Sequence, residues 1–137
     1  MKNQTEWLQT VGLLWLRVLM GAGIANHGYH KIFGGQIAQL ADRAAQLGFP
    51  TPVFFAWGAA LSEFLGGIFI VLGLRTRLAA VAVFTTMTVA VFIHHAMDPL
   101  SVKELALAYW TMAGMLMFTG GGKVSLGGLR GSGRNRK

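Results

Sequence analysis

Long apolar runs separated by short polar breaks organise this chain. Residues 11–32, 53–74, 78–97 and 103–119 are each dominated by Leu, Val, Ile, Phe, Met, Ala and Gly. A helix that crosses a membrane needs roughly 20 mostly apolar residues, within about 17 to 25, so four spans are predicted, the last the shortest. Lipid offers no partner for open backbone groups, which restricts spanning segments to helices and closed barrels. The expected fold is therefore an all-α membrane protein, a four-transmembrane-helix bundle. Its Gly and Ala content, unfavourable in a soluble helix, lets neighbouring helices approach closely in lipid.

A different period appears between the first two runs. In "GGQIAQLADRAAQLGFPTP", Ile37, Leu40, Ala41, Ala44 and Leu47 recur at helical spacing, with Gln36, Gln39, Asp42, Arg43 and Gln46 opposite. This is the signature of a short amphipathic helix, ended by Gly48 and the Pro50 and Pro52 pair. Too short and polar to span, it is expected at the membrane interface or over the mouth of the bundle. A signal peptide is the rival reading of the first run. However, Lys2 and Glu6 flank it, Arg17 and His27 interrupt it, and no small-residue cleavage site follows a short core.

Composition agrees with a membrane setting. Of 137 residues 53% are hydrophobic and 12% charged, with a mean hydropathy of +0.50, against about 25% charged in ordinary soluble domains. The net charge of +7 is unevenly placed. Lys2, Arg75, Arg77, Lys123, Arg130, Arg134, Arg136 and Lys137 fall on one side of a four-span topology, and Lys31, Arg43 and Lys103 on the other. The positive-inside bias then sets both termini in the cytoplasm of a multi-pass protein of the bacterial inner membrane. Residues 1–122 form one membrane domain and 123–137 a basic cytoplasmic tail, suited to anionic lipid. Nothing aromatic interleaves that tail, so nucleic acid is not the expected partner.

Candidate chemistry gathers where the first run ends. "GIANHGYHKIFGG" sets Asn26, His27, His30 and Lys31 within one and a half turns. With a rise of 1.5 Å per residue, His27 lies roughly 8 Å inside the outer end of its span, His94 roughly 5 Å, Tyr109 about 9 Å and Glu63 roughly 15 Å. Four spans thus offer one polar group each to the outer half of a bundle. Glu63 shares a small-residue face with Ala56, Ala59, Ala60, Gly66, Gly67 and Ile70, which directs it inward. An acid near the bilayer centre costs roughly 2.5 to 3.5 kcal/mol on insertion scales and marks a functional site by default. It either forms a structural ion pair with Arg17 or stays protonated until a ligand or proton partner arrives. His94 and Asp98, four apart, allow the carboxylate to hold one imidazole nitrogen. His27 and His94 are candidate proton carriers or ligands, whereas His30 and His95 are expected at the interface.

Some chemistries are set aside. His27 and His94 on facing helices could hold haem or copper, but no HxxxH or ExxH pair and no dense carboxylate cluster accompanies them, so no metal site is assigned and that alternative stays secondary. Without cysteine the chain carries neither disulfide exchange nor a persulfide. "FTGGGKVSLGG" lacks the glycine spacing of a phosphate loop and is expected to be a flexible exit from the last span.

Taken together, "RVLMGAGIANHGYHKIFGG", "LGFPTPVFFAWGAALSEFLGGIFIVLGLRTRLAA" and "HHAMDP" resemble the DoxX family of small bacterial four-span membrane proteins, over most of residues 11–122. The most telling part is Glu63-x-x-Gly66-Gly67 followed by Leu72-Gly73-Leu74-Arg75-Thr76-Arg77, with His27 and Lys31 upstream in register. The resemblance implies a link to thiosulfate:quinone oxidoreductase or quinol oxidase subunits, with Glu63, His27, Lys31 and His94 as interior polar residues. The leading expectation is a membrane redox subunit that binds quinone or quinol for proton-coupled electron transfer with a partner protein. Glu63, His27 and His94 would be its proton-handling groups, and Lys31, Tyr109, Asn26 and Asp98 its ligand-binding groups. The alternative is non-enzymatic: a small-solute or proton pathway, or an anchor for a soluble enzyme, with the chain alone or as a homo-oligomer.

Overall fold

A computed structural model of the chain describes residues 2–129. It contains helices α1 (Lys2–Phe33), α2 (Ile37–Gln46), α3 (Pro52–Leu72), α4 (Thr76–Val89) and α5 (Leu100–Thr119), with α4 running on into a π-helical turn, Ala90–His94. Every regular element among the described residues is helical. Among the described residues three stretches are long and apolar enough to cross a membrane: Asn3–Phe33, Pro52–Leu72 and Thr76–His94. The fourth expected span forms a helix of 20 residues, α5, but falls outside that group. Lys103 and Glu104 near its start and Tyr109 and Trp110 at its middle make it less apolar than the rest.

Local chemistry sets the ends. α1 begins at Lys2, well before residue 11, because "KNQTEWLQT" holds neither Gly nor Pro to stop it. Its 32 residues make a rod of about 48 Å, longer than the roughly 30 Å hydrocarbon layer. α3 opens on Pro52, whose fixed φ suits the first helical position. It closes on Gly73 at φ 68°, where the Leu74 N–H reaches back to the Phe69 carbonyl at 2.9 Å in a Schellman turn. The amphipathic helix forms where the pattern puts it, with Ala41 buried.

α1 packs on α3, α3 on α4, α4 on α5, and α5 back on α1, while α2 lies across α3. Neighbours run antiparallel: Gly21 faces Gly67, Ser62 bonds Thr86, Trp110 bonds Thr88, and Tyr109 meets Gly23. Met20, Ile24, Ile70, Val83, Met87 and Leu116 form the core between them. The tightest seam is α1 against α3. A Cβ on Gly67 would stand 2.6 Å from both the Ala25 nitrogen and the Gly21 oxygen, and one on Gly28 would overlap the Phe64 nitrogen. Backbone meets backbone there, as small residues allow.

The end of the molecule holding the α3–α4 turn is sealed. Arg17 of α1, 2% exposed, donates from Nη1 to the Gly121 carbonyl at 2.5 Å. After α5 the chain folds back over this point: Gly127 N–H donates to the Gly73 carbonyl at 3.0 Å, and buried Ser125 bonds Gly122 and Gly128. The segment expected to be a flexible exit is thus, up to residue 129, a cap held by backbone hydrogen bonds. The rest of the expected basic tail, 130–137, lies outside the described residues.

Replacing Gly67 with Leu should overpack the α1–α3 seam and lower stability in detergent by about 1 to 3 kcal/mol. Gly12, beside which a Cβ would meet nothing within 4 Å, is the internal control: Gly12→Ala should stabilise by roughly 0.5 to 1 kcal/mol. Thermal unfolding of both variants checks the pair, and a neutral Gly67→Leu would contradict the seam.

Candidate functional site

Glu63 projects from the middle of α3 on its small-residue face and is 1% exposed. Its partner is Lys31, in the last turn of α1, whose Nζ donates to Oε1 at 2.5 Å and to Oε2 at 2.7 Å. A cation is favoured at a helix C-terminus, where free carbonyls carry partial negative charge. The lysine side chain keeps 27% of its surface exposed, so its charge is only partly withdrawn from the exterior while the carboxylate is fully buried. Two donated bonds leave both carboxylate oxygens acting as acceptors.

The expected Arg17–Glu63 pair is corrected by this geometry. In the antiparallel register of α1 and α3, Gly28 faces Ala60 and Phe64, whereas Arg17 lies beside Gly73. Arg17 and Lys31 are 14 residues apart, about 21 Å along the helix. Glu63 is level with Lys31.

Both partners line a cavity of about 490 Å³ enclosed by α2, α3, α4 and the end of α1. Leu40, Leu47, Phe54 and Phe55 supply apolar walls, while Arg43, His94, Thr85 and Thr86 add polar groups. Arg43 Nη1 lies 2.9 Å from His94 Nε2. Arginine has no acceptor, so Nε2 must receive this bond and the ring proton sits on Nδ1. Beside Glu63, Thr86 donates to the Ser62 hydroxyl at 3.0 Å, tying α4 to α3.

The expected His94–Asp98 bond does not form. Asp98 Oδ2 instead pairs with His95 Nδ1 at 2.7 Å. The cause is the π-helical turn: His95 N–H bonds the Ala90 carbonyl at 2.9 Å, five residues back. The α register that would align positions 94 and 98 ends there. His95, expected at the interface, lines the cavity beside His94, their rings edge to face at 4.3 Å.

The remaining candidates separate. His27 and Tyr109 meet edge to face at 5.7 Å where α1 passes α5. Both stand within electrostatic reach of Glu63, but neither lines the cavity. Asn26 and His30 occupy exposed positions on α1, and Asp98 is also exposed and outside the lining. The imidazoles of a haem or copper site, His27 and His94, take different partners, and among the described residues no group of three His, Asp or Glu could hold a metal ion. Arg43 went unrecognised in the sequence because it falls on the polar side of α2. Its spacing of three from Leu40 and four from Leu47 puts it beside the apolar stripe, which was the available signal.

These features define a helical membrane protein with a buried, counter-charged acid beside an apolar-walled cavity. A family model, DoxX, matches residues 12–96, and the chain belongs to the DoxX family. The matched stretch includes Arg17, His27, Lys31, Arg43, Glu63, His94 and His95. No curated protein and no solved structure matches the chain.

The two halves of the ion pair should respond unequally. Lys31→Met strands a buried carboxylate, and breaking a buried pair costs about 3 to 5 kcal/mol. Glu63→Gln leaves a lysine that can turn its ammonium outward, so its loss should be smaller. Unfolding in detergent should therefore rank Lys31→Met below Glu63→Gln, with the double variant recovering most of the loss. Equal losses without recovery would mean the pair is not the energetic unit.

Proposed function

We propose that this protein is the membrane subunit of a redox system and holds quinone or quinol in the cavity between α2, α3 and α4. The observation that carries this reading is the fully buried Glu63, held by Lys31 and opening on an apolar-walled space. A ligand with an apolar ring and two carbonyl oxygens fits that combination. Phe54, Phe55, Leu40 and Leu47 suit the ring, and the cavity's position between helices suits an isoprenoid tail that stays in lipid. His94 Nδ1–H is the donor to one ligand oxygen, and its tautomer is fixed by Arg43 on the other nitrogen.

A bound quinone exchanges electrons together with protons, and the electrons come from a partner protein. The chain's own part is to move the protons. Glu63 takes or gives a proton at its carboxylate, with Lys31 as its exchangeable partner; such positioned proton transfer contributes typically 10² to 10⁴-fold. His27 and Tyr109, behind Glu63 on the α1–α5 seam, continue the route away from the ligand.

In this reading α5 is a fourth span, short but packed on α4 and α1, which completes a four-helix transmembrane bundle in the bacterial inner membrane. The basic residues Arg75, Arg77 and Lys123 then lie on the cytoplasmic side with both termini, and α2 on the outer side.

Two measurements test it. Protein purified in mild detergent should yield bound quinone on organic extraction, or bind an added short-chain quinone with about 1:1 stoichiometry. A quinone-free protein that takes up none favours the alternative of an anchor or solute pathway. Separately, Gln46→Cys and Val124→Cys, both at exposed positions, should react with an impermeant maleimide from opposite sides of the membrane, Gln46→Cys from outside. Labelling of both from one side would remove the fourth span.

A further inference from the structure

The charges lining the cavity do not cancel. Among the described residues its lining holds two cations, Lys31 and Arg43, and one carboxylate, Glu63. Lys31 occupies both oxygens of Glu63. Arg43 spends one N–H on His94 Nε2, an imidazole nitrogen that brings no negative charge. Among the described residues Arg43 forms no ion pair. The other acids near this end are elsewhere: Asp98 is bound to His95, and Asp42 and Glu104 lie at exposed positions off the lining. His95, the other titratable group on the lining, adds no negative charge. One guanidinium therefore borders an apolar-walled space without a counter-charge.

A guanidinium offers five N–H donors in a planar fork and accepts nothing. With one donor used, the others match a pair of adjacent oxygens, the geometry in which arginine binds bidentate anions best. Charge-assisted hydrogen bonds are about twice as strong as neutral ones. The net excess is a single positive charge.

We infer that the cavity selects an anionic ligand: a hydroxyquinone in its ionised form, whose enolate and neighbouring carbonyl oxygens take the Arg43 fork while its rings lie against Phe54 and Phe55. This rests on the quinone reading and goes beyond it by assigning the charge of the preferred ligand and the residue that reads it. Arg43 lies at an exposed position on α2, and its replacement disturbs no core contact.

The test uses the full chain in lipid nanodiscs at pH 7, with binding of 2-hydroxy-1,4-naphthoquinone, an acidic enol ionised at that pH, compared with its neutral 2-methoxy analogue. The hydroxy compound should bind about tenfold more tightly, the difference between a charged and a neutral hydrogen bond. Arg43→Gln should bring the ratio of affinities close to one, and Arg43→Lys, which keeps the charge but loses the fork, should leave an intermediate ratio. Equal affinities in the unaltered protein overturn this inference and leave the quinone reading standing. A preference that survives Arg43→Gln overturns the role of Arg43. Binding of neither compound overturns both readings. Decanoate, an anion of similar apolar bulk with no quinone ring, should compete poorly. Competition equal to that of the hydroxy compound would show a general site for anionic amphiphiles and overturn the assignment to hydroxyquinones.

Discussion

Lys31 can reach Glu63 because α1 and α3 touch backbone to backbone. Gly21, Ala25 and Gly28 on one helix meet Gly67, Ala60 and Phe64 on the other with no room for larger side chains. Helix axes usually stand 8 to 10 Å apart, according to the side chains at the contact, and glycine contacts belong at the close end of that range. Here the proximity fixes the register as well as the distance. It sets the last turn of α1 level with the middle of α3, which brings a cation to a carboxylate that would otherwise be alone. A shift of one helical turn, about 5.4 Å, would exceed the tolerance of a bidentate hydrogen bond.

The ion pair is an expensive way to join two helices. Removing charges from water costs several kcal/mol per ion, and well-packed apolar residues of similar volume often do as well or better. The α1–α3 seam already has apolar and backbone contacts of that kind, so the pair is not needed to hold the helices together. Its placement on a cavity wall fits the proposed role of the carboxylate in proton transfer. Lysine rather than arginine is the partner, and that choice matters: an ammonium can release a proton and swing on a flexible stem, whereas a guanidinium stays charged and planar. Arginine appears instead at Arg17, bonded to the Gly121 carbonyl, and at Arg43, bonded to His94.

Much of the fold could be read from periodicity. The apolar runs located the four long helices and the 3.6-residue stripe located α2, because burial in lipid or against α3 imposes those patterns directly. The inward face of Glu63 followed from small residues on one side of α3, and the DoxX resemblance from the ordered motifs around His27, Glu63 and Arg75–Arg77. What escaped the sequence depended on register between helices. Spacing alone put Arg17 about 21 Å from Lys31 along α1, but which of the two stands level with Glu63 depends on the register of α1 against α3. The His94–Asp98 spacing presumed a continuous α-helix, and the turn at Ala90–His94, with its additional residue, broke that premise. The cap formed by 123–129 was hidden because its order comes from a backbone bond of Gly127 to Gly73 and a Ser125 hydroxyl bond to the Gly122 carbonyl, which no hydrophobic pattern records. α5 showed the opposite difficulty: its helix was legible, yet Lys103, Glu104, Tyr109 and Trp110 leave it short of the apolar character of its neighbours.

The two ends of the molecule are built on different principles, and that contrast bears on how a ligand would enter. At the end closed by Arg17, the guanidinium is packed against Gly73, where a Cβ would collide with it, and Gly121, where a Cβ would collide with Thr76. Among the described residues its Nε has no hydrogen-bond partner, a cost accepted where the surrounding backbone is fixed. At the other end, α4 loosens into a π turn, a feature that recurs at functional sites. A short helix, not a packed span, forms one wall of the cavity there. Elements with few buried contacts open at low free energy, and binding regions are drawn from them. α2 has one buried residue, Ala41, and a side-chain bond from Arg43 to His94 at the far wall. In the proposed reading a ligand with two oxygens takes the remaining Arg43 donors, keeps that bond and leaves the α1–α3 seam undisturbed. In the same proposed reading the ligand enters past α2, where Arg43 has donors left to hold it.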